Sequence, residues 1–102
     1  MPETNFEIWI DGEAKILVHR RTEKGRYVTF AVVLMIATAD GWMDIGRFDT
    51  AHGIPHQDTL GEKNGLLQKV WLDDITPREA FHLAITTFER DHERIRIQYH
   101  SN

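Results

Sequence analysis

The sequence predicts an α+β domain: an antiparallel β-meander of about five strands with one long C-terminal α-helix packed across the sheet. Three observations carry that prediction. Apolar residues fall at even positions through residues 6–10, 16–18 and 28–36, the period-2 mark of strands with one buried face. Turn signals such as Asp11-Gly12 and Asp40-Gly41 cut this alternation into strand-length pieces. From residue 76 the spacing lengthens to three and four behind a helix-start pattern.

Taken in order, Phe6, Ile8 and Ile10 alternate with Glu7 and Trp9 to give a first strand, closed by Asp11-Gly12. A second strand runs from about Ala14 to Arg21, with Ile16 and Val18 on one face and a basic far end. Thr22 to Gly25 turns the chain into a third segment, Tyr27 to Ala39. Val28, Phe30, Val32, Leu34 and Ile36 occupy one side of it, and its other side is half apolar. That pattern predicts a central strand with cover on both faces, and its β-branched density argues against a helix. A two-residue loop at Asp40-Gly41 would pair Leu34 with Arg47 and Val32 with Asp49, putting two charges on the most apolar face; a one-residue slip would send Phe48 and Thr50 there instead. After His52 the alternation stops, and Asp58 to Gly65 reads as a polar loop before a last strand at Leu66 to Leu72. Thr76-Pro77-Arg78-Glu79 is a capping box with proline at the first helical position. Phe81, Ile85, Phe88, His92, Ile95 and Tyr99 then form one stripe, although the alternation from Ile95 to Tyr99 also fits a short final strand.

A chain of 102 residues is expected to be a single domain. It has no cysteine, which excludes disulfides, thiolate metal sites and thiol nucleophiles and suits a reducing cytoplasm. The apolar run from Phe30 to Ala37 is too short to span a membrane, and the acidic first residues do not form a signal peptide, so a cytoplasmic protein is expected. The net charge of −4 hides a basic stretch between residues 15 and 47, which reads as a charged strand edge more readily than as a nucleic-acid surface.

Chemistry concentrates in residues 47–58, where Arg47, Asp49, His52, His56 and Asp58 lie around a Gly53-Ile54-Pro55 bend. Glycine-rich phosphate loops and Gly-x-Ser-x-Gly elbows are absent from the sequence. Two functional readings stay open. His52, His56 and Asp58 form a two-histidine, one-carboxylate set suited to zinc or manganese. Alternatively His52 and His56 exchange protons on a phosphodiester such as RNA, with Asp49 beside them and Arg47, joined by Arg20 or Arg26, holding phosphoryl charge. The plainer account is a loop whose histidines bond to backbone and to Asp49. Elsewhere His19 should point outward, His82 and His92 should pack at the helix stripe, and His100 should fray. Trp9, Trp42 and Trp71 read as packing residues, and the alternative is that an exposed sheet edge or the Trp9 and Trp42 surface pairs with another protein or with a second copy of the chain.

The run Phe48-Asp49-Thr50-Ala51-His52-Gly53-Ile54-Pro55-His56, preceded by Arg47, resembles the motif of the TumE-like proteins, small toxins of bacterial toxin–antitoxin pairs. Arg47, Asp49, His52, Gly53, Pro55 and His56 match that motif. Phe48 stands where tyrosine is usual, and Asp58 where a further histidine is usual. The resemblance implies growth inhibition relieved by a cognate antitoxin, with Arg47, Asp49, His52 and His56 as site residues.

Overall fold

In a computed structural model, which describes residues 3–50 and 53–102 and only the backbone at positions 27 and 28, the even-numbered apolar residues draw the chain into one sheet under one helix. The strands are β1 (Glu3–Asp11), β2 (Ala14–Glu23), β3 (Arg26–Thr38), β4 (Gly41–Asp49), β5 (His56–Gly61) and β6 (Gly65–Trp71), followed by α1 (Pro77–Ser101). Their order in space is β1-β2-β3-β4-β5-β6, every neighbouring pair antiparallel. The predicted meander is therefore present, with one strand more than the five expected. That strand is β5, which the sequence presents as loop.

The β2–β3 hairpin closes through Lys24 and Gly25, both at positive φ (51° and 77°), between the paired residues Glu23 and Arg26. The next hairpin departs from expectation. Its loop is Ala39-Asp40, with Thr38 opposite Gly41, and Gly41 takes the positive φ of 106°. This moves the pairing by two residues and leaves the faces unchanged. A bulge then intervenes: Met35 pairs with Asp44 but Leu34 pairs with Gly46, so Ile45 is an extra residue. Beyond it Val32 faces Phe48, Val33 faces Arg47 and Ala31 faces Asp49. Arg47 and Asp49 thus leave the face of Leu34 and Val32 on which the simple register placed them. The physical reason is burial. Phe48, 1% exposed, packs edge-on to Phe88 with ring centroids 5.2 Å apart. Burying an aromatic there gains ~2–3 kcal/mol, whereas sinking an Arg–Asp pair would cost several kcal/mol of desolvation.

α1 lies across β2 to β5, chiefly over β3 and β4. Phe30, Val32, Leu34 and Ile36 are buried beneath it, and Phe81 meets Phe30 edge-on at 5.7 Å. The other side of β3, with Ala31, Val33 and Met35, is half-buried, and no described element covers it. The expected cover on both faces is therefore present on one. Thr76 Oγ1 accepts from Glu79 N at 3.1 Å and Thr76 N donates to Glu79 Oε1 at 3.0 Å, the capping box in full. The helix continues through Ile95 and Tyr99, both buried, so the alternation at 95–99 belongs to a helix end and not to a strand. His92 is half-buried, while His82 is exposed against the edge of Phe81 rather than packed in the core. The last turn is fastened to the β5–β6 loop. Glu62 N donates to Tyr99 O, Asn64 N donates to Asn102 O at 3.0 Å, and His100 Nδ1 lies 2.5 Å from Glu62 Oε2. His100 is held there instead of fraying. Among the described residues no helix is long and apolar enough to cross a membrane.

Candidate functional site

The register aligns two rows of side chains across the face that α1 leaves open. One row runs Asn5, His19, Ala31, Asp49, His56, Trp71 from β1 to β6. Beside it runs Glu7, Leu17, Val33, Arg47, Asp58, Lys69. The motif's polar residues form the middle of both rows, as two adjacent cross-strand pairs: Arg47 opposite Asp58 and Asp49 opposite His56. Because side chains alternate along a strand, only a partner strand with this register can gather them. β5 is that partner.

At the centre is His56, 2% exposed. Its Nε2 lies 3.0 Å from Asp49 Oδ1 and 3.7 Å from Asp58 Oδ2. A carboxylate can only accept, so Nε2 carries the proton and donates to Asp49. Nδ1 faces the Ile54 carbonyl at 3.5 Å, and the ring lies 5.1 Å from that of Trp71. Asp58, also buried, is flanked by two cations: Lys69 Nζ is 3.3 Å from Oδ1 and Arg47 Nε is 3.6 Å from Oδ2. These contacts neutralise charge without completing hydrogen bonds, since Asp58 Oδ1 and Arg47 Nε are both buried with no hydrogen-bond partner. Arg47 and Lys69 side chains remain 39% and 35% exposed, so both cations reach solvent from a buried anchor.

The approach to the bend is fixed by backbone. Thr50 N donates to Phe30 O, Phe30 N donates to Thr50 Oγ1 at 3.0 Å, and Gly53 N donates to Thr50 O. Gly53 takes a φ of 82°, which a side chain would disfavour. Leu72 N donates to Pro55 O at 2.8 Å, tying the far side of the bend to the end of β6.

Of the predicted site residues, Arg47, Asp49, His56 and Asp58 come together, while His52 lies outside the described residues. Arg20 does not join them. It sits on the helix face, its guanidinium 5.4 Å from the centre of the Phe81 ring. The second cation is Lys69, which sequence reasoning missed because its partner strand looked like loop. The only available signal was the strand at 66–72, whose pairing direction the sequence does not reveal.

Asp49, His56 and Asp58 each offer one ligand atom, all within 4.8 Å of one another, so this His/Asp/Asp group could hold a metal ion. Of the predicted set His52, His56 and Asp58, His52 lies outside the described residues, and the two described members belong to this group together with Asp49. Its atoms are already engaged in the ion pairs above.

Over residues 1–102 the chain matches the family described as Domain of unknown function (DUF7718), and it belongs to that family. No curated protein and no solved structure matches it.

Proposed function

We propose that this DUF7718 chain is a TumE-like toxin of a toxin–antitoxin pair, acting in the cytoplasm as a small ribonuclease-like phosphodiesterase. One observation carries the reading. The motif residues Arg47, Asp49 and His56, separated in sequence by the bend, meet in adjacent cross-strand pairs on the open sheet face. Asp49 is the reachable group, and His56 sits behind it. His56 therefore acts through Asp49 as a positioning residue, holding the carboxylate by its Nε2–H. Arg47 and Lys69, whose side chains reach solvent, supply donors for the non-bridging phosphate oxygens.

In that reading the ribose 2′-hydroxyl gives its proton to Asp49 as its oxygen bonds to phosphorus. The bond from phosphorus to the 5′-oxygen breaks, leaving a 2′,3′-cyclic phosphate, and the departing oxygen takes a proton from His52, the other histidine of the motif, acting as general acid. No metal is needed. Induced expression without the cognate antitoxin should arrest growth, and Asp49→Asn protein made at equal soluble yield should not. Unimpaired growth with abundant wild-type protein would refute the proposal.

The closeness of Asp49, His56 and Asp58 supports a second reading, a zinc or manganese site in which the metal replaces the His56 proton. Zinc titration of tag-free protein decides it. Stoichiometric binding lost in His56→Gln supports the metal site, and absence of binding removes it.

A further inference from the structure

We infer that the groove beside the motif, floored by Leu17, Ala31 and Val33, receives the base of the substrate nucleotide, and that Asn5 and His19 read the edge of that base. This rests on the ribonuclease reading and adds substrate recognition to it.

The groove is an open depression of about 420 Å³ between β1, β2 and β3, on the same two rows that carry the motif. That volume falls in the ~300–1,000 Å³ range of small-molecule sites. Its floor adjoins the candidate site directly, for Ala31 pairs with Asp49 and Val33 pairs with Arg47. In the first row His19 and Asp49 stand two strand spacings apart, ~10 Å, with only the Ala31 methyl between them. The result is a notch in an otherwise continuous polar row.

The chemistry of the notch selects a flat heteroaromatic ring. Its floor is aliphatic, which suits a ring face and offers a phosphate nothing. Its walls hold two polar groups among the described residues: Glu7, paired with Lys15 at 3.3 Å, and a corner where His19 Nδ1 lies 2.6 Å from Asn5 Oδ1. The amide oxygen only accepts, so Nδ1 is the protonated nitrogen. A neutral His19 then keeps Nε2 as an acceptor, and Asn5 keeps its amide N–H donors. An acceptor beside donors is what hydrogen-bonding to the edge of an unstacked base requires.

Charge points the same way. The second row carries Glu7 and Asp58 against Arg47 and Lys69, and the first adds Asp49, so the two rows have no positive excess. A face of that kind cannot hold RNA by its phosphates alone. Affinity must come from the base.

Calorimetric titration of the purified protein with the four nucleoside 5′-monophosphates and with ribose 5-phosphate tests this. At least one nucleotide should bind about tenfold or more tighter than ribose 5-phosphate, the margin a filled apolar pocket confers. Ala31→Leu, which fills the notch from a half-buried position, should erase that margin while leaving the unfolding temperature unchanged. Asn5→Ala should narrow the spread among the four bases. Equal binding of all five ligands by wild type, or a margin that survives Ala31→Leu, overturns the inference. RNA cleavage with no base margin removes the inference and leaves the ribonuclease reading standing. A base margin without cleavage does the reverse, keeping the pocket and removing the catalytic reading.

Discussion

His56 shows how much one side chain does here. It lies between two carboxylates and against Trp71, with almost no contact with solvent. Replacing it by alanine deletes a buried ring and leaves Asp49 and Asp58 facing each other without the imidazole between them. The expected loss is about 2–4 kcal/mol in urea unfolding. His56→Gln, which keeps an N–H for Asp49, should lose less, and equal losses would show that volume alone matters. Glu79 acts at the other end of the chain. Hydrogen bonds from Thr76, first the backbone N–H and then the side chain, hold its carboxyl below the usual glutamate range. A carboxyl lowered in the folded state stabilises above its unfolded value, and that contribution fades as pH falls through the lower folded value. The unfolding temperature of the wild type should therefore fall more steeply than that of Glu79→Gln as pH is lowered below about 4.5, the ordinary value for the group. Parallel curves would exclude this role.

At the level of elements, the Ile45 bulge and the short strand β5 create the site. Deleting Ile45 would remove a fully buried core side chain but leave Met35 opposite Asp44 and Leu34 opposite Gly46, so Arg47 and Asp49 would keep the open face. Such a protein should unfold at lower denaturant while its folded form keeps activity; activity lost in protein shown to be folded would mean that the open-face rows alone do not make the site. Gly61 is the second sensitive point, because a Cβ there would lie 2.9 Å from the backbone oxygen of Asn102. Gly61→Ala should cost about 1–3 kcal/mol and speed hydrogen exchange at the Lys63 and Asn64 amides, which donate to that oxygen. The same two elements mark where sequence reading stops. Strands β1 to β3 and the start of α1 were legible because their burial repeats with the local period, and Thr76 to Glu79 is a local pattern. β5 was not, since it faces polar surroundings on both sides. His56 and Asp58 turn to the cluster, while Gln57 and Thr59 line a polar cleft under α1 with Gln68 and Gln98. A bulge likewise leaves no mark in composition. It arises when Phe48 and Ile45 both reach the core, an outcome set by Phe88 from forty residues away. Arg47, Asp49, His56 and Asp58 were identifiable as site residues, but Lys69, Asn5 and His19 join them only through pairing.

On the scale of the whole molecule, a six-stranded sheet has a helix over one face and the motif's charged residues on the other. The helix supplies the stability that lets the opposite face hold charged groups half-buried. All three tryptophans belong to that opposite side: Trp71 ends the first row, and Trp9 and Trp42 meet edge-on at 5.5 Å with the Lys15 ammonium over both rings. The account stands on Asp49 and His56 working as one unit on an RNA phosphodiester. Its most direct test is a double-mutant cycle on RNA cleavage by purified wild type, Asp49→Asn, His56→Gln and the double variant, each shown to be folded by circular dichroism. Each single substitution should reduce the rate by about 10²–10⁴-fold, and the double variant should be no slower than the worse single one. Losses that multiply, or cleavage indifferent to Asp49→Asn, would contradict it.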